Sequence, residues 1–171
     1  MRVTMTGNPD AFPTLAPESN SAPEVSITAT ALNVIAREAR QSRDGLETGG
    51  ILLGHDFGQR VEIRHAGDAG PDARRGTHTF DRDLAHATAL AEAAWTHDRS
   101  QWLGEWHTHP NQEPVPSPRD LTSYLQHLND PELDFTQFIS IIVTEHEGTI
   151  SAVTWLVDST HATPISLRRQ P

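Results

Sequence analysis

Short aliphatic and β-branched runs recur along the chain and predict strands. Some alternate with polar residues, as in strands with one buried face, and others are continuous runs bounded by glycines. The predicted strands cover residues 25–28, 46–54, 61–64, 77–80, 102–107, 138–144, 149–157 and 164–167. Gly58 and Gly148 lie between neighbouring strands of this set and predict two hairpins.

Apolar residues spaced three or four positions apart predict three helices. One covers residues 29–42, one is capped by Asp81 or Asp83 and ends near Thr96, and one begins at Ser117. Their apolar stripes are Leu32, Ile35, Ala36 and Ala39; Leu84, Ala87, Ala91, Ala94 and Trp95; and Leu121, Leu125 and Leu128. The order of elements predicts one α/β or α+β domain with a central mixed sheet flanked by helices and the tryptophans in its core.

Residues 1–24 differ in composition from the rest of the chain. They carry four prolines among serine, asparagine, threonine and alanine. This composition predicts a flexible, proline-rich leader at 1–24, followed by a folded domain at 25–171. The first 23 residues lack the apolar core of a signal peptide and no apolar run is long enough to span a bilayer, so we predict a cytoplasmic protein.

The chain of 171 residues has a formal net charge of −10. Binding to nucleic acid or to an anionic membrane needs clustered positive charge, so neither is expected as a partner. The absence of cysteine excludes disulfides, thiolate metal ligands and a cysteine nucleophile. Lysine is absent too. Codon bias in a GC-rich genome explains this, and avoidance of self-modification in a system that conjugates proteins to lysine amines is the alternative hypothesis.

The most informative group of side chains lies in residues 104–120. His107 and His109 are two positions apart, so on a strand both point to the same face and both can reach one ion. Pro110 suits the end of that strand, because it cannot donate to a sheet ladder. With Asp120, the histidines make three ligands and leave the fourth position of a tetrahedral zinc open for water. The spacing therefore predicts a catalytic metal site.

Ser117 and Asp120 also form a good helix start, with serine at the N-cap, Pro118 at the first helical position and an acidic residue at the third. Taken alone, this pattern often only caps a helix, and an isolated His-x-His often lies on an exposed strand. The combination is far more specific than either part. Capping leaves the hydroxyl proton of Ser117 free to donate to a developing oxyanion, so the two roles are compatible.

Hydrolysis of an amide at such a site also needs a general base. Spacing alone does not choose among three carboxylates, Glu47, Glu105 and Glu113. Glu105 shares a strand face with His107, whereas Glu47 lies beside two glycines at the start of a buried strand. Among the remaining histidines, His78 could approach the site from a neighbouring strand.

Together, these residues resemble the JAMM (JAB/MPN/Mov34) metalloprotease family. Its pattern is an upstream glutamate, then His-x-His-Pro, then serine and aspartate eight and eleven residues after the second histidine. The resemblance covers residues 25–157 and implies an MPN/JAB-like (cytidine-deaminase-like) domain. It further implies that His107, His109 and Asp120 bind one Zn²⁺ per chain, that Glu47 is the general base and later the acid, and that Ser117 stabilises the oxyanion.

Residues 47–54 and 104–110 are most similar to compact bacterial members, which are encoded beside activating- and conjugating-enzyme-like proteins in anti-phage (CBASS-type) operons. The resemblance implies hydrolysis of the bond after the C-terminal residue of a ubiquitin-like protein, which reverses its conjugation to a target such as a nucleotide cyclase. Expected partners are that tail, the conjugated target and the operon-encoded enzyme-like proteins. Three alternatives stay open: an inactive MPN scaffold, a RadC-like DNA-associated protein, and a peptidase acting on a ubiquitin-like sulfur carrier.

Overall fold

A computed structural model describes residues 13–16 and 22–170 of the chain. The strands of these residues are β1 (Thr14–Leu15), β2 (Glu24–Ile27), β3 (Gly49–Asp56), β4 (Arg60–Ala66), β5 (Arg74–Arg75), β6 (Phe80–Asp81), β7 (Gln101–Thr108), β8 (Phe138–His146), β9 (Thr149–Val157), β10 (His161–Ile165) and β11 (Leu167–Arg169). The helices are α1 (Ala29–Gln41), α2 (Leu84–Asp98) and α3 (Pro118–Asn129). In this part of the chain no helix has the length and apolar character needed to cross a bilayer.

Nine strands form one mixed sheet in the order β1-β10-β9-β8-β7-β3-β4-β2-β11. β7 and β8 pair in parallel near its centre, whereas β3 is antiparallel to both of its neighbours. β10 and β11 lie towards opposite edges of the sheet, yet only Ser166 separates them in sequence. Because consecutive Cα atoms are about 3.8 Å apart, this link brings the two edges together and the sheet is strongly curled.

Helices cover both faces of the curled sheet, as predicted for an α+β domain. On one face α1 buries Ala31, Ile35 and Ala39 in the same apolar cluster as Trp106 of β7. On the other face α2 and α3 pack against separate clusters, which include Ile51 and Leu53 of β3 for α2, and Phe138 and Ile142 of β8 for α3. The central strand β7 is therefore buried on both sides.

Asp83, one of the two predicted caps, accepts a hydrogen bond from His86 N at 3.0 Å, and α2 begins at the next residue.

The predicted apolar stripe of α2 is wrong at both of its ends. Leu84 is 74% exposed and Trp95 is 45% exposed, so Trp95 is not a core residue. The helix contacts the sheet through the smaller buried residues Ala87 and Ala94, which leaves the larger side chains at its ends in solvent.

Two predicted strands are corrected by the structure. Most of the segment 77–80 is loop, and only its last residue enters β6, which pairs with β5 in a two-stranded ribbon outside the main sheet. The segment 164–167 contains the end of β10 and the start of β11, which pair with different strands. β11 pairs with the distant strand β2, and this change of partner cannot be read from local periodicity.

The predicted leader, 1–24, lies largely outside the described residues. Within the part that is described, Thr14–Leu15 pairs in parallel with β10, and β2 begins at Glu24. A short piece of this segment is thus an edge strand of the main sheet.

Candidate active site

β7 presents the two histidines at the end of a buried strand. Trp106 is fully buried on the α1 face, and its Nε1 donates a hydrogen bond to the Gly67 carbonyl oxygen at 2.8 Å. Because side chains alternate along a strand, this anchor directs His107 to the opposite face, towards α3. His109 follows the strand and is held by a hydrogen bond from its backbone N to the Val143 carbonyl oxygen at 2.8 Å. Both imidazoles are buried.

The first turn of α3 supplies the aspartate. Ser117 and Asp120 form the predicted capping box, in which the Ser117 hydroxyl accepts the Asp120 N–H at 3.2 Å and Asp120 Oδ2 accepts the Ser117 N–H at 2.7 Å. Pro118 occupies the first helical position, as predicted. These two hydrogen bonds, both within the first turn of α3, orient the Asp120 carboxylate.

Three potential metal ligands converge between β7 and α3. The Nε2 atoms of His107 and His109 are 3.0 Å apart, and they lie 3.6 and 3.3 Å from Asp120 Oδ2. Ligands bonded to a tetrahedral zinc at 2.0–2.1 Å are roughly 3.3 Å from one another. The three atoms therefore already have the separation that zinc requires, and their donor chemistry is the kind that zinc accepts.

The hydrogen bond at Nδ1 of His109 determines which of the two ring nitrogens can bind a metal ion. His109 Nδ1 lies 3.1 Å from the backbone carbonyl oxygen of Glu113, which can only accept. The carbonyl oxygen therefore accepts the Nδ1–H of His109, and Nε2 is the nitrogen available to a metal ion. His107 lacks such a partner, because its buried Nδ1 makes no hydrogen bond.

The charges of the three residues depend on one another. Burial opposes ionisation of Asp120, but hydrogen bonds with His107 and His109 hold the pKa of its carboxyl far below the ordinary value. Burial likewise opposes the charged form of His107, but the Asp120 carboxylate outweighs it and raises the pKa of this imidazole above 6.5. Without a metal, the group thus attracts positive charge, as a cation site should.

Glu47 is brought to the same place from the other side of β7. The pairing of β3 with β7 places Gly49 opposite His107, and Thr48 continues the pairing with Thr108 through a backbone hydrogen bond of 2.7 Å. Glu47 is only 5% exposed, and burial raises the pKa of its carboxyl above the ordinary value. A buried carboxylate with a raised pKa beside three metal-ligand candidates is suited to proton transfer.

The β5–β6 ribbon anchors the backbone of Glu47, a role that the sequence did not suggest. Arg75 Nε donates to the Glu47 carbonyl oxygen at 2.9 Å, while the same guanidinium binds both carboxylate oxygens of Asp44 at 2.9 and 3.0 Å. Glu47 N also donates to the Gly76 carbonyl oxygen at 2.8 Å. The ribbon thus fixes the segment immediately before β3, where Glu47 lies.

The structure separates the three carboxylates that spacing left open. Glu47 lines a cavity of about 460 Å³ together with His107 and Asp120. Glu105 is buried against Arg82 and faces His107 Nδ1, on the side of the ring away from the converging Nε2. The Glu113 side chain is exposed, and only its backbone carbonyl contacts the site. Geometry thus favours Glu47 as the base.

His78 also lines the cavity, although it lies in the loop between β5 and β6 and not on a strand of the main sheet. Its Nδ1 accepts a hydrogen bond from Gln112 Nε2 at 3.0 Å. This contact joins the ribbon to the loop that follows His109. Arg82, Arg119 and His127 are further cavity residues that sequence reasoning did not single out.

Three features define a JAB-type domain: a His-x-His pair that spans the end of a strand, an aspartate in the first turn of the next helix, and a curled mixed sheet with both on one face. The chain belongs to the prokaryotic homologs of the JAB domain (Prok-JAB), whose pattern matches residues 28–157. The predicted JAMM resemblance and fold class are confirmed. The fold is also found in the solution structure of protein DSY2949 from Desulfitobacterium hafniense, with a TM-score of 0.65, 16% sequence identity, and coverage of 85% of this chain and 92% of that one.

Several curated relatives are named CD-NTase/cGAS isopeptidase. The one from Pseudomonas aeruginosa is 34% identical over 95 residues, which cover 54% of this chain and 60% of the relative. The one from Vibrio cholerae is 33% identical over 91 residues, covering 50% of this chain and 56% of the relative. The chain therefore spans a little more than half the length of these relatives.

Proposed function

We propose that this protein is a zinc-dependent isopeptidase that hydrolyses the amide bond after the C-terminal residue of a ubiquitin-like protein and so reverses its conjugation to a target. The observation that carries this proposal is the convergence of His107, His109 and Asp120, of which His107 and Asp120 line one open cavity together with buried Glu47. Membership of the JAB family and the isopeptidase names of the relatives support the same reaction.

In this mechanism His107, His109 and Asp120 hold the zinc. When bound, zinc supplies Lewis acidity, which acidifies a water molecule and polarises the scissile carbonyl. Glu47 takes a proton from the attacking water as its oxygen bonds to the carbonyl carbon. The Ser117 hydroxyl donates a hydrogen bond to the carbonyl oxygen as it becomes negative. As the carbon–nitrogen bond breaks, Glu47 returns the proton to the leaving amine, and the carboxyl-terminal product and a free amine are released.

The names of the relatives favour a substrate in which the conjugated target is a CD-NTase or cGAS-like nucleotidyltransferase. We therefore propose that the protein acts in the cytoplasm, in an anti-phage system. Its partners there would be the tail of the ubiquitin-like protein, the conjugated enzyme, and operon-encoded activating- and conjugating-enzyme-like proteins.

The test is a cleavage panel of ubiquitin-like proteins, each fused through its C-terminus to a reporter, with and without a zinc chelator. The zinc-loaded protein should cleave at least one fusion, and the chelator should stop it. Glu47→Gln should abolish cleavage while zinc stays bound, and His109→Ala should lose the metal. Glu113→Gln and His146→Ala are matched controls, because both side chains are exposed, and both should cleave normally.

Three results would contradict the proposal. Cleavage at the wild-type rate by Glu47→Gln would show that another group is the base. Cleavage restricted to fusions of a sulfur-carrier protein would redirect the substrate assignment. Zinc binding without cleavage of any fusion would favour a scaffold.

A further inference from the structure

One ring nitrogen of His107, a candidate metal ligand, has no hydrogen-bond partner among the described residues. The Nδ1 atom of His107 is buried and makes no hydrogen bond, although Nδ1 of His109 has the Glu113 carbonyl oxygen at 3.1 Å. A histidine that binds a metal through one nitrogen almost always donates its other N–H to a carboxylate, a carbonyl or water, and this bond fixes the orientation of the ring. His107 should therefore have an acceptor when Nε2 binds an ion.

The nearest carboxylate oxygen to this nitrogen is Oε1 of Glu105, at 3.8 Å. Glu105 precedes His107 by two positions on β7, so both side chains emerge on the same face of the strand. It is 8% exposed, which places a carboxylate in a nearly dry part of the cavity wall. Such burial is unfavourable unless the charge is compensated.

Arg82 provides the compensation. Its guanidinium forms an ion pair with Oε2 of Glu105, the oxygen that does not face His107. The same guanidinium lies over the ring of Trp102, with the Cζ atom 5.6 Å from the ring centroid. The two oxygens of Glu105 are thus divided between two neighbours, Arg82 on one side and His107 on the other.

We propose that Glu105 is a positioning residue for the metal site. Its Oε1 accepts the Nδ1–H of His107 and holds the imidazole with Nε2 towards the metal, while Arg82 holds the carboxylate. This hydrogen bond forms when the 3.8 Å between the two atoms shortens to about 3 Å. The inference rests on the metal site of the proposed function, but it concerns metal binding and not cleavage.

Zinc affinity, measured by competition with a chromophoric chelator, tests this role without any substrate. Glu105→Gln keeps an acceptor but loses the charge, and its zinc affinity should fall about tenfold. The double variant Arg82→Leu with Glu105→Leu loses both charges together, so no buried charge is left unpaired. Its affinity should fall towards the upper end of the 10- to 100-fold range that outer-shell partners of metal ligands usually contribute. Glu132→Gln is the matched control, because this carboxylate is exposed and does not line the cavity, and it should bind zinc as the wild type does.

Nitrogen-15 NMR of the zinc-loaded wild-type imidazoles provides a measurement that needs no variant and that simple packing would not change. His107 should show a protonated Nδ1 whose hydrogen exchanges slowly with water. Rapid exchange of that hydrogen, or wild-type zinc affinity in both Glu105 variants, would overturn the inference. If the wild-type protein itself fails to bind zinc, the metal site of the proposed function fails with it. If it binds zinc but cleaves nothing, only the proposed function is in question.

Discussion

Ser117 and Asp120 are held together by two reciprocal hydrogen bonds of 3.2 and 2.7 Å at the start of α3. The Asp120 oxygen that accepts one of them also lies 3.3 Å from His109 Nε2. One side-chain pair therefore both begins the helix and aims a carboxylate at the candidate metal position. The two contributions of Ser117, to the helix and to catalysis, can be separated by substitution.

Ser117→Ala removes both the cap and the hydroxyl, whereas Ser117→Gly removes the hydroxyl but leaves a tolerated N-cap residue. The free energy of unfolding should fall by about 1 kcal/mol for alanine and by only a few tenths for glycine. Loss of an oxyanion donor should reduce kcat by roughly 100- to 1,000-fold in both variants. Urea unfolding and steady-state cleavage measure the two effects. A kcat that follows stability, and so recovers in the glycine variant, would argue against the oxyanion role.

Glu47 should destabilise the metal-free protein at neutral pH. Burial raises the pKa of its carboxyl above 4.5, so the folded state binds the proton more tightly than the unfolded state does. Between the unfolded and folded pKa values, stability therefore falls as the pH rises. Metal-free Glu47→Gln should melt at a higher temperature than the wild type at pH 7, and the difference should shrink as the pH falls towards 4.5. Equal melting temperatures at both pH values would show that Glu47 is not desolvated.

Zinc binding should release protons. The pKa of His107 is raised above 6.5 because Asp120 outweighs the effect of burial, so near pH 6.5 the metal-free imidazole is mostly protonated. An imidazole binds a metal only in its neutral form, so the proton has to leave. Calorimetric titrations at pH 6.5 in buffers of different ionisation enthalpy should show net proton release, and this release should decline as the pH is raised. Release that is independent of pH would contradict the assignment.

Gly49 should be required for the shape of the metal site. A Cβ atom at this position would lie 2.3 Å from the Trp106 carbonyl oxygen and 2.8 Å from His107 Cβ. Gly49→Ala should therefore reduce stability by about 1–3 kcal/mol and also weaken zinc binding. Gly58→Ala is the matched control, because Gly58 has a φ of +79° and open space around it. It should lose stability through backbone strain alone and keep its zinc affinity.

Local signals predicted the parts of the site that depend on neighbouring residues. The start of α3 was predicted correctly because a serine cap, a proline and an acidic third residue act within one turn. The common face of His107 and His109 followed from the alternation of side chains along a strand. The choice of Glu47 over Glu105 could not be made in this way, because it depends on which residues the pairing of β3 with β7 and the ion pair with Arg82 bring together.

The same limit explains the errors in the fold. Leu84 and Trp95 complete an apolar stripe at helical spacing, yet α2 contacts the sheet only near its middle, and the sequence does not reveal where that contact ends. The segment 164–167 has the composition of one strand, but a change of partner at Ser166 divides it between two. Such changes are properties of the whole sheet.

The three ligand candidates are close together in the chain, since Asp120 follows His109 by eleven residues, whereas Glu47 precedes His107 by sixty. Closing the longer segment costs about 1.5 kcal/mol more chain entropy than closing the shorter one. His107, His109 and Asp120 can consequently come together within one contiguous segment of the chain. Glu47 reaches them only after β3 has paired with β7. A variant with damaged strand pairing could thus retain its zinc and still be inert, so metal content and turnover report on different stages of folding.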